Sequence, residues 1–127
     1  MFVFHNLYNS WAWTGGHSDG DNDLLNVAIK EAKEETGIKT IKPISNDIFS
    51  MEILPVWGHV KKGKFVPSHQ HLNLTYILEA DENEVLQIKE DENSDVKWIP
   101  INEIDDYSKE NNMKRYYKKI IEKFKNL

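Results

Sequence analysis

The chain contains no cysteine, which excludes disulfides, thiolate nucleophiles and thiolate metal sites together, and leaves oxygen and imidazole as the only metal ligands. Long apolar runs are missing as well. No stretch approaches the roughly 20 apolar residues that span a bilayer, and Met1-Phe2-Val3-Phe4 passes straight into polar residues rather than a signal-peptide core. The sequence therefore predicts a cytoplasmic protein with no membrane partner. There is no internal repeat, low-complexity tract or linker rich in Pro, Gly or Ser, so residues 1–127 read as one continuous domain. Positive charge is in deficit: 16 Lys and Arg against 21 Asp and Glu leave a net charge of -5, a field that repels a nucleic acid duplex. A small phosphorylated ligand stays open, because a bound metal reverses the local sign.

What is present suffices for a core. With 127 residues, 39% hydrophobic and 29% charged, the composition is that of an ordinary soluble domain, long enough for one core and too short for two. Met1 to Leu7 and Trp11 to Trp13 read as short strands around Tyr8-Asn9-Ser10, feeding a Gly15-Gly16 corner. From Asp21 or Asp23 onward the period changes. Leu25, Ala28, Ile29 and Ala32 repeat at helix spacing, with an Asp available as N-cap and Gly37 as terminator. Phe49 to Val60 and Leu72 to Ala80 alternate as strands around the hairpin tip Lys61-Lys62-Gly63-Lys64, with a Pro in or beside each arm. Val96 to Ile99 is a further strand, ended by Pro100. A last helix carries Met113, Tyr117, Ile120, Ile121, Phe124 and Leu127 on one face. Its lysines read as a solvated face rather than a nucleic-acid surface. This order predicts an α/β sandwich with a largely mixed sheet between helices.

Glu31, Glu34 and Glu35 stand at i, i+3 and i+4, leaving one face of the first helix a turn apart. Three such carboxylates repel one another unless a cation sits between them, and hard oxygen ligands suit magnesium or manganese. Taken alone, the run Lys30 to Glu35 reads more readily as an exposed face with a Lys30–Glu34 pair. The setting reverses that judgement: glycines before and after the helix let backbone approach a ligand closely.

The segment from Gly16, GHSDGDNDLLNVAIKEAKEETGI, resembles the Nudix box, with Gly16, Glu31, Ala32, Glu34, Glu35, Gly37 and Ile38 in register. Trp11 to His17 resembles the strand leading into that family's corner, and Asp95 to Ile101 its late strand and turn. Asn22 replaces the first Glu of the box and Lys30 its Arg. A matched exchange would have Asp21 or Asp23 supply a carboxylate to Lys30, although Lys lacks the planar donor fork of Arg. The strand that usually precedes the equivalent of Met1 to Phe4 is absent, so the domain reads as shortened at its N-terminus. Such an open sheet edge invites homodimerisation.

The resemblance implies a Nudix-like α/β/α sandwich and a hydrolase that cleaves the pyrophosphate bond of a nucleoside diphosphate linked to another moiety. It implies Mg2+ or Mn2+ held by Glu31, Glu34 and Glu35, with Glu34 and Glu35 catalytic. Glu92, beside Glu90 and Asp91, is the expected extra ligand or general base. Gly15, Gly16, His17 and Lys30 are expected at the substrate, joined by His69 and His71, which share a strand face with Asn73. The alternative is a weak or inactive Nudix-like domain that binds or senses a nucleotide. Isoprenyl diphosphate isomerisation, another activity of that family, relies on a cysteine that this chain lacks.

Overall fold

The computed structural model describes residues 2–5, 10–88 and 93–127. Strands β1 (Phe2–His5) and β2 (Ser10–Ala12) lead to the Trp13–Asp19 loop and then to helix α1 (Leu24–Thr36). Strand β3 (Lys42–Pro43) follows, then β4 (Ser50–Val56), β5 (His59–Lys61), β6 (Lys64–Val66), β7 (His69–Thr75), β8 (Leu78–Glu79) and β9 (Asn93–Lys97). Helices α2 (Ile104–Tyr107) and α3 (Asn111–Lys125) close the chain. Among the described residues the ladders are antiparallel: β2-β1-β9, β3-β8, β4-β7 and β5-β6.

The caps of α1 are those the sequence offers. Asp23 accepts a hydrogen bond from the Asn26 backbone N–H at 3.1 Å, satisfying one orphan donor of the first turn. At the other end Gly37 adopts φ 76° and donates to Lys33 O at 2.8 Å. A Cβ at Gly37 would also lie 2.8 Å from Cβ of Gln87, so both conformation and space require glycine. Two apolar clusters form the interior. Ile99, Ile104, Met113 and Tyr117 make one, with Trp11, Trp13 and Leu54 against it. Ala32, Ile38 and Ile41 make the other, with Ile29, Leu78 and Leu86. Helix α3 therefore serves the first core and α1 the second, with strands contributing to each, consistent with an α/β/α sandwich.

Three expectations shift. The arm predicted over Phe49 to Val60 breaks after Val56: Gly58 N–H donates to Ser68 Oγ at 2.8 Å, and the His59 ring bonds Trp57 O at 2.8 Å. These local bonds turn the chain out of the β4-β7 ladder into a second hairpin. Strand β7 begins at His69 rather than Leu72, because the ladder pairs Val56 with His69 and Ser50 with Thr75. The predicted tip holds: Lys62 and Gly63 take φ 51° and 77°, the left-handed pair that a two-residue hairpin loop demands. On α3, Met113, Tyr117 and Ile120 are buried, but Phe124 and Leu127 are exposed, since the helix outruns the core. A late strand forms as foreseen, and the structure pairs it with β1, Val3 opposite Val96.

Candidate functional site

The glycine corner and the carboxylate helix meet closely. A Cβ on Gly16 would lie 2.5 Å from Glu31 Cδ and 2.7 and 2.8 Å from its two oxygens. A side chain at position 16 would therefore displace this carboxylate from its place. One turn on, Glu35 is 3% exposed and its Oε1 accepts the Gly15 N–H at 3.0 Å. A carboxylate this deep needs such donors, because an unbonded buried charge is strongly unfavourable. Glu34 lies outward, with Lys30 Nζ 4.0 Å from its Oε1. Helix periodicity explains the division: Glu31 and Glu35 are four residues apart and stack beneath the loop.

The same two glycines line two clefts. One, of about 650 Å³, runs between the Trp13–Asp19 loop, the first half of α1 and β7. The other, of about 470 Å³, lies between that loop, the end of β4 and the start of α3. They meet at Trp13, Gly15, Gly16, His17, His71 and Asn73. Backbone, imidazoles and an amide thus converge at the junction, while Glu31 and Glu35 reach its two glycines without lining either cleft.

Three histidines gather at this junction. His69 and His71 point the same way from β7, with Nε2 atoms 2.9 Å apart. The His17 ring stands edge-on to His71, with centroids 4.9 Å apart. His69 Nδ1 lies 2.9 Å from Pro67 O. A carbonyl only accepts, so Nδ1 carries the proton; in the neutral pair His71 Nε2–H then donates to His69 Nε2. Burial, followed by the charges of His17 and His69, holds the His71 imidazole below its usual range.

The NUDIX domain profile matches residues 4–124 of the chain. The chain belongs to the Nudix family. Among its relatives is the RNA pyrophosphohydrolase of Pelagibacter ubique (strain HTCC1062), 30% identical over 125 residues, which make up 96% of this chain and 78% of that protein. Membership and this relative support a Nudix pyrophosphohydrolase, a class that acts on nucleotide-type substrates with the help of divalent metal. No helix among the described residues is long and apolar enough to cross a membrane.

The Nudix box accounts for most of the expected site residues. Gly15, Gly16, Glu31 and Glu35 come together, and His17, His69 and His71 form a cluster at the rim. Lys30 pairs with Glu34 rather than with Asp21 or Asp23. Those two are engaged in the loop, Asp21 Oδ1 by the Asp23 N–H at 2.9 Å and Asp23 by the helix cap. Glu90, Asp91 and Glu92 lie outside the described residues. Among the described residues, no three carboxylates or imidazoles already stand close enough to hold a metal ion. The chemistry of the donors nonetheless fits a hard divalent cation, since oxygen ligands stand on successive turns beside backbone that can admit a phosphate.

Trp13, at the end of the strand that feeds the glycine corner, lies where the clefts join while its ring packs edge-on to Tyr117 at 5.2 Å. One cleft residue escapes a reading of the sequence. Glu110, the residue before α3, lines the smaller cleft, and burial raises its carboxyl above the usual range. Nothing in the local pattern marks Glu110, because its burial belongs to the assembled cleft rather than to its neighbours in sequence.

Proposed function

We propose that this Nudix domain, a single cytoplasmic domain over residues 1–127, hydrolyses the pyrophosphate bond of a nucleoside diphosphate linked to another moiety, using Mg2+ or Mn2+. The observation that carries this reading is that Glu31 and Glu35 contact Gly16 and Gly15, the two glycines that line both clefts. Glu31, Glu34 and Glu35 would hold the metal, with Glu34 turning in from its Lys30 contact. Bound there, a divalent ion supplies Lewis acidity and lowers the pKa of water.

The chain's own groups do the rest. Gly16 lets phosphate oxygens approach the backbone without a Cβ in the way. His17 offers a hydrogen bond to the diphosphate, and His71 would do so once its Nε2–H turns from His69 to the phosphate. Lys30 steers an anion toward the helix. Glu34 and Glu35 act on the attacking water, and Glu92 is the further ligand or base. A second copy would pair along an open strand edge.

The test is a panel of nucleoside triphosphates, nucleotide sugars and dinucleoside polyphosphates incubated with full-length protein and Mg2+ or Mn2+. Metal-dependent release of a nucleoside monophosphate or of pyrophosphate is expected. A ligand that binds by calorimetry and is recovered unchanged after long incubation with metal would instead establish the sensor reading, which the Lys30–Glu34 contact favours.

A further inference from the structure

Charge is distributed unevenly along the sequence. The chain as a whole carries a net charge of -5, yet from Ile53 to Leu78 there is no Asp or Glu. That span holds Lys61, Lys62 and Lys64, all at the end of the β5-β6 hairpin, together with His59, His69 and His71. Lys61 and Lys64 stand directly opposite each other, a like-charge pairing that weakens a hairpin unless an anion lies between or beside them. Lys62 occupies the tip at φ 51°, where a residue with a side chain is disfavoured. The loop presents an ammonium group where Asn or Gly would relieve the backbone.

Aromatic surface lies beside these charges. Trp57 and Phe65 are each 70% exposed, among the most exposed large apolar side chains of the protein. The Phe65 ring covers the backbone of Gly58, where a Cβ would meet its Cζ at 3.1 Å. Trp57 and Phe65 therefore flank one glycine at the foot of the hairpin. Trp57, Gly58 and His59 also form the outer wall of the smaller cleft, whose inner end is the glycine corner. A path thus leads from the diphosphate position, past an aromatic platform, to a cluster of cations.

We propose that the β5-β6 hairpin is a docking arm for a single-stranded polynucleotide, whose bases stack on Trp57 and Phe65 while its phosphates lie against Lys61, Lys62 and Lys64. Stacking platforms beside a cationic track suit single strands, since every base offers a π face and an unpaired strand can splay its bases. A duplex hides those faces, in keeping with the acidic remainder of the protein, which repels it. The inference rests on the proposed function in one respect: it places the strand's terminal diphosphate at the glycine corner.

The experiment uses a fluorescein-labelled single-stranded RNA of about ten nucleotides with a 5′-hydroxyl end, titrated with the full chain in EDTA and read by anisotropy. This probe has no anhydride to cleave, so its binding stands or falls separately from hydrolysis. Three contacts at roughly 0.7 counterions each predict a log–log salt slope near -2, or roughly 20-fold weakening between 50 and 200 mM salt. Replacing Lys61, Lys62 and Lys64 with Gln should flatten that slope. Trp57→Ala with Phe65→Ala should weaken binding roughly tenfold or more at unchanged slope. All five side chains are exposed, and circular dichroism checks that the variants fold. Absence of binding at 50 mM salt would overturn the proposal, as would equal affinity in the aromatic double variant. Equally tight binding of a polyglutamate peptide would also overturn it, in favour of an acidic protein partner.

Discussion

Gly16→Ala isolates the contact on which the site depends. An added methyl would sit 2.5 to 2.8 Å from three atoms of the Glu31 carboxylate, whereas ordinary contact begins near 3.4 Å. The carboxylate must retreat by about 1 Å, and since it ends a flexible side chain it can do so by leaving its rotamer, at a cost of about 1 kcal/mol. For a domain of this size that lowers the melting temperature by about 4 °C. If Glu31 holds the metal as proposed, the effect on catalysis should be larger, because misplacing a catalytic group by that distance reduces rate by about 100-fold. The assay pairs kcat/KM on whichever diphosphate the panel identifies with a thermal melt, and repeats both for Gly15→Ala. At Gly15 a Cβ meets nothing within 4 Å, and the N–H that binds Glu35 is kept, so its loss should be the smaller. Comparable rates for Gly16→Ala and the parent protein would refute the reasoning, as would a loss explained by unfolding.

Other perturbations separate the roles of individual groups. Glu34→Gln and Glu35→Gln should each reduce kcat about 100-fold or more while far-UV circular dichroism is retained; full activity in both would remove them from the site. Burial would raise the Glu52 carboxyl, but the Ser50 hydroxyl, Lys119 at 2.9 Å and the Arg115 charge outweigh it and hold the group below its ordinary 4.5. Stability from this pair is thus present above pH 4.5 and lost as pH falls through the lower folded value. Lys119→Met should cost about 1–3 kcal/mol at pH 7 by denaturant titration, with the difference vanishing in strong acid. His71 is held below its ordinary 6.5, so the native state resists protonation and stability declines as pH drops below that value; His71→Gln should flatten this acid limb. Glu110 shifts the other way: its raised carboxyl contributes stability at low pH that disappears as pH rises through the folded value. Glu110→Gln should therefore melt higher than the parent at pH 7 and level with it near pH 4.

How much the sequence reveals depends on the range of the interaction. The ends of α1 are legible because caps are local: Asp23 and Gly37 act within a few residues of themselves. The acidic face is equally local, and the box spacing carries it. His69 and His71 share a face by strand alternation, but the arrival of His17 beside them is set by how the loop folds over β7, and no short-range pattern encodes it. The break between Val56 and His59 is missed because it depends on Ser68, ten residues away. Glu110 is missed for a like reason, since its burial arises only in the assembled cleft. Lys30 illustrates a third case: its i, i+4 partner Glu34 outcompetes the loop aspartates, which are already hydrogen-bonded.

Mn2+ uptake followed by electron paramagnetic resonance tests the central assignment most directly, with a non-cleavable diphosphate present and the parent protein compared with a Glu31→Gln, Glu34→Gln, Glu35→Gln variant. The parent should deplete the free-ion signal in proportion to protein added, and the folded triple variant should leave it nearly unchanged. Equal depletion by both proteins would mean that the ion is held elsewhere and that these three carboxylates are not its ligands.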